Sequence, residues 1–146
     1  MVLIGFILIG LGCGKEKKED TYPHDETIIA ELPKMGAESM RDMKSGDSRV
    51  IRSQEELLDV FSIEEIQSLA QLQNIDFTTY SVLIGMCSYS NEVNYIKHTY
   101  TKTGDSTYTY HIKISGDATR PDSFLYGIIV KMLPADAVIL FEIEKI

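Results

Sequence analysis

The first twelve residues, MVLIGFILIGLG, carry no polar side chain, and the chain turns to charge directly afterwards at Lys15-Glu16-Lys17-Lys18-Glu19-Asp20. A helix needs about 20 apolar residues to cross roughly 30 Å of hydrocarbon, so this run is too short to span a membrane. Its length matches the apolar segment of a secretory signal, about 7–15 residues ending in small side chains. The alternative home for such a run is a buried strand, but a buried strand does not stop at a solvated run of mixed charge. Residues 1–12 are therefore expected to be a signal rather than part of the fold, and the folded part is expected outside the cytoplasm.

The run closes at Leu11-Gly12-Cys13, a small residue immediately before a cysteine. This resembles a bacterial lipoprotein signal, although Gly10 stands three before the cysteine, where that family prefers Leu. The resemblance implies that the chain is cleaved before Cys13, that Cys13 is diacylated, and that the new amino terminus is acylated too. The covalent lipid would be the only prosthetic group, and the membrane the partner it holds. Each buried methylene contributes about 0.8 kcal/mol, so one acyl chain binds reversibly and two or three hold firmly. The resemblance implies an outer-membrane location with the domain on the periplasmic or cell-surface side. With Cys13 acylated, Cys87 has no partner in the chain and reads as a small buried hydrophobe.

Residues 13–47 are polar and poorly periodic, with Pro23 and Pro33 interrupting them. They read as a flexible tether. Ala37–Lys44 offers a turn or two of helix, with Met40 and Met43 on one side. Thr27-Ile28-Ile29-Ala30 is the stretch with an alternative, packing on the domain. Residues 48–146 remain, enough to bury one core. The whole chain has 14 Lys+Arg against 22 Asp+Glu, a net charge of −8, which argues against a nucleic-acid partner.

Within that domain Arg49-Val50-Ile51-Arg52 reads as a short strand. Ser53-Gln54-Glu55-Glu56 and Ser62-Ile63-Glu64-Glu65 read as capping boxes, opening two short helices or one bent one. Everything after Asp76 has the Thr, Tyr, Val and Ile content of strands: Tyr80–Met86, Asn94–Lys102, Thr107–Ser115, Phe124–Met132 and Ala137–Lys145. The order implies an α+β domain with short helices packed on one face of a mainly antiparallel sheet.

Arg49-Val50-Ile51, Ser53-Gln54-Glu55-Glu56-Leu57 and Asp76-Phe77 leading into Val82-Leu83-Ile84-Gly85, followed by the hairpin and a last strand pair, form a pattern over most of the domain that is similar to the C-terminal domain of PrcB-type lipoproteins. That resemblance implies the same fold and a role beside a protease complex, as an associated or inhibitor-like protein. The family's Gly-Gly-Tyr step is replaced here by Ser88-Tyr89-Ser90-Asn91-Glu92.

A two-residue turn at Gly104-Asp105 suits a type II′ hairpin and sets Thr103 opposite Ser106. His98 then faces His111 on one side of the sheet, with side-chain roots about 5 Å apart. Both would lie on the polar face with Ile96, Tyr100, Thr109 and Lys113, leaving Tyr95, Tyr108, Tyr110, Ile112 and Ile114 for the core. Two neutral imidazoles could bind Zn²⁺ or Cu²⁺, with Glu142 or Glu144 as the nearest third ligand. The other reading of the pair is a solvated hairpin.

A nucleophile at Cys87 would need a base or a helix N-terminus beside it, and a strand end supplies neither. No Gly-x-Ser-x-Gly elbow occurs. The carboxylate pairs Glu55-Glu56 and Glu64-Glu65 lie where they favour a helix dipole. Tyr89, Tyr95 and Tyr100, with Tyr108 and Tyr110, offer ring area and hydroxyls for a recognition surface. The expected function is thus a lipid-anchored extracytoplasmic binding module without catalytic activity, its partner a protein. The alternative is a metal- or small-ligand-binding lipoprotein using the His98/His111 face.

Overall fold

The structure, a computed structural model, describes residues 21–37 and 42–146. The signal, Cys13 and the first part of the tether lie outside the described residues, as does Met40. Nine strands and two α-helices lie among the described residues, with a 3-10 turn at Ala70–Leu72 after the second helix. In chain order they are β1 (His24–Asp25), β2 (Ala30–Glu31), β3 (Met35–Gly36), β4 (Ser48–Ile51), α1 (Gln54–Val60) and α2 (Ile63–Ser68). Then come β5 (Tyr80–Tyr89), β6 (Tyr95–Lys102), β7 (Thr107–Ser115), β8 (Asp122–Lys131) and β9 (Val138–Lys145).

Both helices start where a serine hydroxyl can accept an orphan amide. Ser53 takes the Glu56 amide and Ser62 takes the Glu65 amide. The second start is a full reciprocal box, because the Glu65 carboxylate accepts the Ser62 amide at 2.8 Å. At the first, the Glu56 carboxylate reaches one residue further back and accepts the Arg52 amide. Leu57, Val60, Phe61 and Ile66 face inward from the helices and are buried.

Those side chains cover one face of a five-stranded sheet ordered β2-β8-β5-β4, with β3 also on β8. The two central strands are apolar on both faces because both faces are covered. Val82, Ile84, Met86, Leu125 and Ile129 pack toward the helices. Leu83, Cys87, Phe124, Tyr126, Ile128 and Val130 pack the other way, onto a second sheet ordered β1-β6-β7-β9. The layers run helices, central sheet, outer sheet. The α+β class with mainly antiparallel ladders holds, with two stacked sheets where one was expected. β7 and β9 pair in parallel, because β8 makes the return pass in the central sheet before β9 comes back beside β7.

The β6–β7 hairpin corrects the expected register. Lys102 pairs with Tyr108 and Tyr100 with Tyr110, and the Thr103 amide donates to the Thr107 carbonyl. The tip is Gly104-Asp105-Ser106, three residues rather than two. A slip of one residue turns every side chain of one strand to the opposite face. Tyr108, Tyr110, Ile112 and Ile114 face the core as expected, but on β6 it is Ile96, His98 and Tyr100 that join them, while Tyr95 points out and is 45% exposed. The two-residue turn would have set Lys97 on the inner face, and an unpaired ammonium there is costly. The tip also suits a glycine, since a Cβ at Gly104 would lie 2.5 Å from the Thr107 hydroxyl.

The second correction concerns the tether. Residues 24–36, assigned to it, are laid along the domain as a strap. β1 pairs with β6, and β2 and β3 pair with β8, so the strap crosses from one sheet to the other and closes that side of the sandwich. Leu32 is 3% exposed and Met43 is also buried in the helix-side core. Ile28 and Ala30 pack on opposite sides of the central sheet, in line with the alternative reading of Thr27–Ala30. Leu32 can lie flat because Gly127 beneath it has no side chain; a Cβ there would come within 2.9 Å of Leu32 Cδ1 and 2.7 Å of the Leu83 carbonyl. Lys34 pins the far end of the strap, donating to the Val93 carbonyl and to Asp122. No helix among the described residues is long and apolar enough to cross a membrane.

Candidate functional site

The histidines thought to face each other are parted by the register. His98 lies opposite Ile112 and points between the sheets, where its Nδ1 shares a 2.8 Å hydrogen bond with the Tyr110 hydroxyl. Burial lowers the His98 pKa, and the Glu31 carboxylate on the strap opposes that in part. Burial likewise pushes the Tyr110 hydroxyl far up, so it stays protonated. Tyr110 also packs against Tyr126 and, edge-on, against Phe141.

His111 lies opposite Thr99 and points out to the uncovered face of the outer sheet. Its Nδ1 is 3.4 Å from Glu142 and its Nε2 3.0 Å from Glu144, the two carboxylates named above as the nearest choices for a third ligand. They take opposite nitrogens of one ring, so the three groups do not converge on a common point. His98 and His111 therefore cannot hold one ion together. Among the described residues no group of three His, Cys, Asp or Glu side chains could hold a metal ion.

The tyrosines divide in the same way. Tyr100 is buried and stacks on Tyr108 at 5.6 Å. With Glu26, Thr27 and Lys131 these rings line a cavity of about 180 Å³ at the hairpin end of the strap. Tyr89 is half-buried and donates to the Ile146 carbonyl, tying β5 to the chain's last residue. Only Tyr95 of the three candidate recognition tyrosines is exposed. Tyr89, Tyr95 and Tyr100 thus form no common surface. Cys87 is free and buried, its thiol pushed up by burial, with Sγ 3.6 Å from the Ser88 carbonyl.

What the sequence did not reveal is the asymmetry of the sandwich. On one side the strap covers the edges of β6 and β8. On the other, β9 and β4 end their sheets with no partner strand among the described residues. Val138 and Leu140 stand out from β9 at 62% and 54% exposure, followed by Glu142 and Glu144. Alternation in β9 marks it as a strand, but nothing local says that it is an edge. No family model, curated protein or solved structure matches the chain.

Proposed function

We propose that this protein is a lipid-anchored extracytoplasmic interaction module that binds a protein partner and performs no chemistry of its own. The observation that carries the reading is the abrupt boundary at Leu11-Gly12-Cys13, where an uninterrupted apolar run gives way to charge. The likeness of most of the domain to PrcB-type lipoproteins supports a partner of the protease class. The bare edge of the sandwich supplies the surface that such a partner needs.

The strap sharpens the geometry of the anchor. Residues 14–21 alone separate Cys13 from Tyr22, whose hydroxyl donates to Asp105 at the hairpin tip. Extended, that stretch reaches about 30 Å. The domain is therefore held close to the bilayer, by its hairpin end, rather than on a long spacer.

Fractionation tests the reading. The wild-type chain should sediment with membranes and resist high salt, and Cys13→Ser should release it to the soluble fraction. Equal distribution of the two proteins would overturn the anchor.

A further inference from the structure

We infer that the free edge of β9 takes up an extended strand from a partner protein, one whose solvent-side positions run from apolar to basic. This rests on the interaction reading and names its site and the chemistry of its partner.

The edge is chemically open. The Val138 amide donates to the Ser106 carbonyl and the Ile146 amide to the Ile114 carbonyl, so the even-numbered amides of β9 serve its ladder with β7. By the two-residue period of a strand, the N–H and C=O groups of Ile139, Phe141, Ile143 and Lys145 point away from β7. Natural edges are usually blunted by charged side chains, proline, bulges or brevity, and β9 carries charge only in its last four residues, at Glu142, Glu144 and Lys145. β9 runs for eight residues, VILFEIEK, with no proline, and pairs with β7 in unbroken register.

The chain itself shows how such an edge is satisfied. Its strap adds β1 to β6, and β2 and β3 to β8. The opposite side of the sandwich repeats the need, and no strand among the described residues meets it.

The character of the occupant follows from the outward face of β9, which is aliphatic at Val138 and Leu140 and then carries Glu142 and Glu144, both beside His111 and the second also beside Lys113. An incoming strand sets apolar side chains beside the first pair and basic ones beside the second. A chain of net charge −8 favours a basic partner at any approach. A second copy fits poorly. Two-fold antiparallel pairing of β9 with itself sets these carboxylates against each other or against Val138 and Leu140.

Amide hydrogen exchange on the whole protein tests this, with a synthetic peptide of about eight residues as the probe, carrying valine along one face and two valines followed by two lysines along the other. Without the probe the amides of Ile139, Phe141, Ile143 and Lys145 should exchange fast, and their even-numbered neighbours slowly. With saturating probe those four should slow by about tenfold or more. Leu140→Lys, a change at an exposed position, should weaken probe binding by about tenfold while leaving the even-numbered amides protected. Probe binding that leaves the four amides unchanged, or no binding at millimolar probe, overturns the proposal. So does protection without probe: if it grows with protein concentration the occupant is a second copy, and if it does not, the chain covers its own edge. Membrane attachment plays no part in this assay, so its failure would leave the anchor standing.

Discussion

His98 lies across the ladder from Ile112 with its Nδ1 2.8 Å from the Tyr110 hydroxyl, while His111 faces the opposite side of the same hairpin. A pair that would have suggested a metal becomes a buried polar contact on one face and a carboxylate-flanked imidazole on the other. The buried contact has a consequence for pH. In the folded chain burial lowers the His98 pKa, against a smaller opposing pull from Glu31. The unfolded chain takes up the proton near its ordinary value of about 6.5. The unfolded state thus binds more protons in the window below that value, and stability is lost as pH falls through it toward the folded value. The denaturant midpoint should fall between about pH 7.5 and about pH 5, and fall less in His98→Gln. Equal losses in both proteins would contradict the assignment.

The strap should behave as part of the core. Leu32→Ala removes a buried side chain over Gly127 and should destabilise by about 2–5 kcal/mol in urea unfolding. A residue in a loose tether would change stability by no more than about 0.5 kcal/mol.

The close approach beneath it gives an independent check. Gly127→Ala places a methyl against the Leu83 carbonyl and the side chains of Ile84 and Leu32. The backbone carbonyl cannot rotate away, so the substitution should destabilise by about 1–3 kcal/mol in the same assay.

The second helix start should matter locally. Ser62→Ala leaves the Glu65 amide without its acceptor and should lower stability by about 1 kcal/mol. Thermal unfolding followed by circular dichroism would show the shift.

Much of this fold is written in local pattern. The Ser-x-x-Glu starts at Ser53 and Ser62 and the strand content after Asp76 place the elements to within a few residues. The class follows from their order. Three features depend on information that local pattern does not hold. The hairpin tip turns on one residue, and the signal that decides it is Lys97, which can face water only in the three-residue form. The strap looks like tether because its strands are two residues long and borrow their hydrogen bonds from β6 and β8. Its apolar anchors, Ile28, Ala30 and Leu32, are too few for a period. That β9 ends a sheet depends on the return of β8 through the other layer, and no local pattern records a strand's neighbours. The candidate site suffers from the first of these: a shift of one residue on β6 exchanges the faces of Tyr95, His98 and Tyr100.

The account stands on Cys13, and the intact mass of the protein recovered from membranes tests it most directly. A chain that begins at Cys13 and carries a diacylglyceryl group, with or without a further acyl chain on its new amino terminus, is the expected result. A chain that retains residues 1–12 with Cys13 unmodified would contradict it.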